Sequence, residues 1–218
     1  MTGNLAIPAG CRIVLICEGR GDAAFLAAMA RHLKVDNARA IPVMGSPNFR
    51  DQVEAVSNIE NFEGVRAFGI VRDADDSPAR TLAEINGVMR DFFGAGANFL
   101  KHGEVKRPES GEFSTVSFGA FITPDGQRGG ELEDLLLESA RESHPQIMDC
   151  VGKFLDCANP DGKPKKESKK AVQALISGFP EYCEDLNVVL KKKLVNLDDG
   201  AFAGLREFLR KLADAANA

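Results

Sequence analysis

Over the first two thirds of the chain, segments with the apolar pattern of β-strands alternate with segments that have the apolar spacing of helices. Four short segments are strand candidates, and the first, RIVLIC, is the nearly continuous apolar run typical of a central parallel strand. Between these segments, apolar residues recur at the three- and four-residue spacing of amphipathic helices. The predicted strands are residues 12–17, 38–44, 66–71 and 115–122, and the predicted intervening helices are residues 22–33, residues 48–59 and a helix that begins at Ser77 and Pro78.

From Gly130 onward the pattern is helical only. Strand–helix alternation followed by helices predicts an α/β core, residues 1–140, with a mainly parallel sheet flanked by helices. A helical C-terminal extension, residues 141–218, is expected to pack on that core. A helix over residues 131–141 is predicted to join the core to this extension, and the helices predicted within the extension are residues 147–157, 171–177, 186–194 and 201–215. Residues 94–111 of the core and 159–170 of the extension are predicted to be irregular.

Composition narrows the possible functions. The chain is 44% hydrophobic and 27% charged with a net charge of −5, which argues against a surface that coats nucleic acid nonspecifically. It does not argue against an enzyme whose acids gather in one metal-filled pocket. No apolar run reaches the ~18 residues of a membrane span, and the first ten residues lack a secretion signal, so we expect a cytoplasmic protein without membrane contact. Five cysteines without a CxxC pair do not predict a zinc site.

Acidic residues follow three of the predicted strands. Glu18 and Asp22 come after the first strand, Asp73 and Asp75 after the third, and Glu133 after the fourth, at the start of a helix. Ligands of open α/β sheets bind outside the carboxyl ends of the strands. Because gathered carboxylates repel one another, they need a cation, and an all-oxygen set suits Mg²⁺ or Mn²⁺.

Each acidic pattern also has an ordinary structural explanation. Acids favour the first turn of any helix, and an Asp-x-Asp string is common in turns. In the third cluster, Glu131, Asp134 and Glu138 fit the solvated face of an amphipathic helix. The joint placement of the three clusters favours the metal site, and the sequence leaves open which of Glu131, Glu133 and Asp134 faces the ion.

Three strings resemble motifs of Toprim domains. VLICEGRGDAAFL resembles their first motif, a strand that ends in Glu-Gly-x-x-Asp, and FGIVRDADDS resembles the second, a strand that ends in Asp-x-Asp. GELEDLLLE resembles the acidic helix start of the OLD-type nuclease branch and of small stand-alone bacterial relatives. The resemblance covers about residues 10–140 and implies a Toprim-like, Rossmann-like fold.

The resemblance also implies a function and a set of ligands. Toprim enzymes act on nucleic acids with Mg²⁺, so phosphodiester hydrolysis in defence or repair is the activity it implies. Carried over by motif, Glu18 would be a metal ligand or general base, Asp22 a ligand of a second ion, and Glu133 the residue that completes the second site. Asp73 and Asp75 would hold the first ion.

Basic residues near the acidic motifs are candidates to contact substrate. Arg72, together with Arg20 and Arg80, is placed to neutralise a scissile phosphate. Residues 163–170 carry five lysines among eight residues. We interpret this stretch as a solubilising loop in preference to an arm that tracks a phosphate backbone.

Other functions stay open. The chain has no GxxxxGK[ST] phosphate loop, and Tyr182 lacks the context of a topoisomerase nucleophile, so relaxation and primer synthesis are not expected from this chain alone. A non-catalytic module that binds a nucleotide, or a partner protein through the C-terminal helices, is the main alternative; a homodimer is also open. A small-molecule phosphatase of the haloacid dehalogenase type ranks last, since its aspartate pair follows the first strand.

Overall fold

The computed structural model describes residues 6–43, 49–94, 100–111, 113–160, 167–177, 190 and 192–218. The strands are β1 (Ile13–Cys17), β2 (Ala38–Pro42), β3 (Ala67–Asp73), β4 (Val105–Lys106) and β5 (Ser117–Thr123). The helices are α1 (Arg20–His32), α2 (Phe49–Ser57), α3 (Pro78–Phe93), α4 (Leu132–Ser143), α5 (Pro145–Ala158), α6 (Glu167–Ser177) and α7 (Ala203–Asn217).

The strands form one five-stranded sheet in the order β2-β1-β3-β5-β4. β1 pairs in parallel with β2 and β3, and β3 pairs in parallel with β5, so the prediction of a mainly parallel α/β sheet is confirmed. β4 is antiparallel to β5, with Val105 opposite Gly119. This two-residue strand lies in the stretch predicted to be irregular, because two residues are too few to show a period.

The central strand β3 divides the core into two layers. Phe68 and Ile70 belong to the apolar layer under α2 and α3, while Ala67 and Val71 belong to the layer under α1, α4 and α7. All seven residues of β3 are buried. Because side chains alternate along a strand, the last two residues, Arg72 and Asp73, point to opposite layers.

Helix α7 covers the second layer. Leu205, Phe208, Leu209 and Leu212 are buried, and the helix packs on β3, β4 and β5. The absence of a side chain at Gly69 makes this approach possible, since a Cβ there would lie 2.6 Å from Leu212. The sequence predicted this helix over residues 201–215, and a 3₁₀ turn precedes it at Gly200–Phe202.

Two other C-terminal helices begin earlier than predicted. α5 begins at Pro145, two residues before its predicted start, and α6 begins at Glu167, four residues before its predicted start. The predicted helix over residues 186–194 falls mostly outside the described residues. Among the described residues, no helix combines the length and the apolar content that crossing a membrane requires.

Candidate functional site

Acidic side chains meet where β1, β3 and β5 end. Asp73 is the last residue of β3, and Asp22 lies in the first turn of α1, which follows β1. Glu131 and Glu133 lie at the start of α4, which follows β5. We call Asp22, Asp73, Glu131 and Glu133 the acidic cluster; it lies at the edge of the sheet where the sequence placed it.

Asp73 is the buried centre of the acidic cluster, with 6% of its surface exposed. Its Oδ1 accepts hydrogen bonds from the Thr123 hydroxyl at 2.7 Å and from the Leu132 amide at 3.0 Å. Burial, together with the negative charges of Asp22 and Glu133, raises the pKa of Asp73 to about 8, although the Thr123 hydrogen bond acts in the opposite direction. The two hydrogen bonds thus fix the position of the Asp73 carboxyl, while burial and the neighbouring charges make its ionisation unfavourable.

Glu133 and Glu131 line the same buried space, each with 9% of its surface exposed. Burial raises the pKa of Glu133 to about 7, and the nearby charge of Asp22 adds to the increase. Oε2 of Glu133 is buried without a hydrogen-bond partner among the described residues, whereas Oε2 of Glu131 has the Lys169 ammonium 3.4 Å away. Buried carboxylate oxygens without a donor are costly, so this space is suited to a cation.

The sequence left the orientation of α4 open, and the structure resolves it. Glu131 was grouped with the solvated face, which is wrong, because it is the residue before the first turn and turns inward beside Glu133. Glu138 is exposed and pairs with Arg128 at 3.4 Å. Asp134 accepts the Glu131 amide at 2.8 Å and so caps its own helix.

Asp22 has a similar capping role at α1. Its Oδ2 accepts the Gly19 amide at 2.8 Å, and a residue three positions after the cap is well placed for this bond. The Cys17 thiol next to it is fully buried, and burial raises its pKa further above the ordinary range, as do the charges of Asp22 and Glu18. Cys17 is therefore a packing residue and not a nucleophile.

One cation already lies in the acidic cluster: the ammonium of Lys169, in the first turn of α6. Its Nζ is 3.4 Å from Oε2 of Glu131 and 3.7 Å from Oδ2 of Asp73. The stretch 163–170 was interpreted as a solvated loop, and this is wrong for residues 167–170, which are helical; residues 161–166 lie outside the described part. Sequence periodicity missed Lys169 because its contacts are with residues far away along the chain.

Glu18 lies beside the acidic cluster but is paired on the other side of the sheet. Its Oε1 is 3.2 Å from Nε of Arg72, and Nη1 of Arg72 is 2.9 Å from Oε2 of Glu84. The Arg72 guanidinium also stacks over the Phe49 ring, with 4.6 Å between its central carbon and the ring centroid. Arg72 is 3% exposed, so in this arrangement it positions Glu18 and is shielded from a substrate.

Asp75 stands apart from the acidic cluster. It is exposed, its φ is +47°, and its main chain pairs with Gly130 through two hydrogen bonds of 3.1 and 2.8 Å. Gly129 permits this contact, since a Cβ there would lie 2.5 Å from the Asp75 carbonyl oxygen. The Asp73–Asp75 pair therefore diverges: the first carboxylate enters the cluster and the second faces outward.

A groove lined by three exposed arginines and by Asp36 runs along α1 from its first residue, Arg20. Its volume is about 540 Å³, and α1 and the edge strand β2 form its walls. Arg20 and Arg31 are eleven residues apart, so they lie on the same face of α1 about 16 Å from each other. Arg39 contributes from β2. No ion pair of these three arginines is found among the described residues, and small alanines form the floor between them.

No group of three or more His, Cys, Asp or Glu in the described part of the chain has the geometry of a metal site. In the same region Arg72 holds Glu18, Asp75 faces outward, and the Lys169 ammonium lies between Asp73 and Glu131. Asp22, Asp73 and Glu133 are the predicted ligands that lie close enough to interact electrostatically: the charges of Asp22 and Glu133 raise the pKa of Asp73, and the charge of Asp22 raises the pKa of Glu133.

Comparison with known proteins assigns the chain to a family but not to an activity. Residues 12–214 match the family described as "Protein of unknown function (DUF3226)", and because this is most of the chain, the protein belongs to that family. No curated protein and no solved structure matches the chain.

Proposed function

We propose that this protein is a divalent-metal-dependent phosphodiesterase that acts on nucleic acid, with a Toprim-type arrangement of its acids. The observation that carries the proposal is the acidic cluster at the carboxyl edge of a parallel sheet, with Asp73 and Glu133 buried and their pKa values raised to about 8 and about 7. Carboxyls with strongly shifted pKa values are found at functional sites, and ligands of open α/β sheets bind at this edge.

The chemistry of the donor atoms suits Mg²⁺ or Mn²⁺. Asp73, Glu133 and Asp22 would hold the ion, and all three offer oxygen, the ligand atom that these hard cations prefer. The buried Oε2 of Glu133, which lacks a hydrogen-bond donor among the described residues, is the atom that most needs a cation. When bound, a divalent ion would polarise a phosphoryl oxygen and lower the pKa of a water molecule.

The chain's own residues would orient this set. Thr123 and the Leu132 amide fix one oxygen of Asp73, which leaves the other oxygen directed toward the cluster interior. Arg72 fixes Glu18 at the margin of the cluster. These hydrogen bonds pre-position the carboxylates, so less reorganisation is needed when a substrate phosphate arrives.

The arginine groove supplies a path for the substrate. Arg20, at the start of α1, is two residues from Glu18, and Arg31 and Arg39 continue the positive charge away from the site. Arg20, Arg31 and Arg39, which form no ion pair within the described part of the chain, concentrate positive charge on a protein of net charge −5, and Asp36 is the acid that lines the groove beside them. A floor of alanines would let a sugar–phosphate backbone approach closely, and phosphate contacts of this kind need no base recognition.

The Toprim resemblance supports the same proposal with one adjustment. The two strand-end motifs lie on adjacent strands, β1 and β3, so their acids are at the same edge of the sheet. Asp75 is the motif acid that faces outward, so we assign Asp73 the principal role and Asp75 none in this conformation. The acidic pair follows the third strand, and this sets the chain apart from phosphatases whose pair follows the first.

The direct test incubates the purified protein with labelled single- and double-stranded DNA and RNA in Mg²⁺, Mn²⁺ or EDTA. We expect metal-dependent cleavage that Asp73→Asn abolishes and that Asp76→Asn, an exposed neighbour, leaves intact. If the wild type leaves every substrate intact under all metal conditions, the enzyme proposal is wrong.

A non-catalytic binding module is the second candidate, and Lys169 favours it. An ammonium already balances part of the acidic charge, so the fold can exist without a divalent ion. In that case nucleotides or oligonucleotides should raise the melting temperature equally in EDTA and in Mg²⁺. A ligand shift that requires the metal would instead support the enzyme.

A further inference from the structure

Helix α6 inserts a cation into the acidic cluster and is firmly attached where it does so. Ala171, Val172, Leu175 and Ile176 are buried, and α6 packs on α4 and α5. At its first turn, the Ser168 hydroxyl donates a hydrogen bond to Oδ1 of Asp134. The Lys169 ammonium is therefore delivered by a packed helix that starts at the cluster.

The position of the ammonium is that of a general counter-ion. It lies 3.4 Å from Glu131 and 3.7 Å from Asp73, so both contacts are longer than the 2.7–2.9 Å of a close charge-assisted hydrogen bond. Burial acts to lower the pKa of Lys169, but the charges of Glu133, Asp73 and Glu131 outweigh it, so the pKa rises and the ammonium stays charged.

The same carboxylates are the ones that a divalent ion would need. An ammonium and a Mg²⁺ ion within a few ångströms of each other repel, and both would draw on the oxygens of Asp73. The side chain of Lys169 is still 36% exposed, and its four-carbon stem is flexible, so the ammonium can swing toward solvent without displacing α6.

We propose that Lys169 is a tethered competitor of the divalent ion: its ammonium neutralises the acidic cluster in the metal-free protein and must withdraw when the ion binds. This inference rests on the proposed function, because it assumes that the cluster binds a metal. It adds a regulatory element to that site, since whatever holds α6 in place sets the metal concentration at which the protein is loaded.

The test measures Mn²⁺ and Mg²⁺ binding by titration calorimetry on the whole chain at pH 8. We compare wild type with Lys169→Met, which keeps the aliphatic stem, and with Lys170→Met, a matched loss of the exposed neighbouring charge. We expect Lys169→Met to bind the ion at least about tenfold more tightly, which is ~1.4 kcal/mol, and Lys170→Met to stay within about twofold of wild type. Equal or weaker binding by Lys169→Met would overturn the inference.

Two further measurements keep the outcomes distinct. Ser168→Ala removes the contact to Asp134 and leaves Lys169 intact, so we expect it to tighten metal binding by a smaller factor, about two- to threefold. This variant also serves as the test if Lys169→Met does not fold. In that case an unchanged or weaker metal affinity of Ser168→Ala would reject the inference. If neither wild type nor any folded variant binds the ion, the metal site itself is wrong and the proposed function fails with it. Binding of equal strength in wild type and Lys169→Met rejects the competition alone.

Discussion

Replacing Asp73 by asparagine should stabilise the metal-free protein at high pH, although it removes the central acid of the candidate site. The amide has nearly the shape of the carboxyl, and its oxygen can accept the same hydrogen bonds from Thr123 and from the Leu132 amide. What the substitution removes is a negative charge that burial and the neighbouring acids oppose. The predicted gain is therefore electrostatic and depends on pH.

The magnitude follows from the two pKa values. The pKa of Asp73 is about 8 in the folded protein and about 3.9 in an unfolded chain. A carboxyl whose folded pKa is raised contributes stability that is complete below the unfolded pKa and is lost as the pH rises through the folded pKa. The loss is at most about 1.4 kcal/mol per pH unit, so the advantage of Asp73→Asn over wild type should grow by about 2–4 kcal/mol between pH 5 and pH 8. The lower figure allows for the attraction of Lys169.

The assay is urea unfolding followed by circular dichroism in EDTA at pH 5, 6, 7 and 8, with wild type, Asp73→Asn and Asp76→Asn. Glu133, whose pKa is raised to about 7, should leave a residual pH slope in every variant up to that pH. The free energy of unfolding of Asp76→Asn should change with pH in the same way as that of wild type, because Asp76 is exposed. An advantage of Asp73→Asn that does not grow with pH, or a variant that is less stable at pH 8, would refute the electrostatic account.

Three further predictions concern the ion, the packing of α7 and the groove. Mg²⁺ at ~10 mM should raise the melting temperature above that in EDTA by about 5–10 °C if the site binds ~100-fold below that concentration, and an unchanged melting point would count against the site. Gly69→Ala should lower the free energy of unfolding by about 1–3 kcal/mol, because the new methyl would lie 2.6 Å from Leu212. The control Gly152→Ala, at an exposed helical position with open space around it, should raise the free energy of unfolding by up to about 1 kcal/mol. Equal effects of the two substitutions in urea titrations would contradict this packing. Arg31→Glu with Arg39→Glu should weaken duplex binding by metal-free protein in fluorescence anisotropy and reduce the log–log salt slope by about 2, while an unchanged slope would place the phosphate path elsewhere.

The sequence predicted most of the sheet and the edge that carries the acids. Continuous apolar runs such as residues 12–17 have few alternatives to a buried parallel strand, and the acids that follow them must then lie at the carboxyl edge. The position of Asp73 follows from this reasoning alone. Its neighbour Asp75 does not, because its direction depends on a main-chain contact with Gly130, which is 55 residues away along the chain.

The inward faces of α4 and α6 could be predicted only in part from local periodicity. In α4 the pattern set Glu133 apart from the solvated face, but it placed Glu131, which is buried, on that face. Lys169 looked like one more lysine in a solvated run. The sequence did contain a signal that residues 167–170 are helical. The helix predicted from residue 171 can be extended by one turn at its N-terminus, and the acidic Glu167 is favourable in the first turn of that longer helix.

The acids at this edge of the sheet fall into two groups, which differ in whether the negative charge stabilises or destabilises the fold. Asp22 and Asp134 each accept a backbone amide at a helix start, so their ionised forms stabilise α1 and α4 with or without an ion. Asp73 and Glu133 are different, since burial raises their pKa values and ionisation therefore costs stability. Hydrophobic residues of similar size would avoid that cost, and carboxyls with pKa values shifted in this way are found at functional sites. For this reason the proposed metal site would depend more on Asp73 and Glu133 than on the capping acid Asp22.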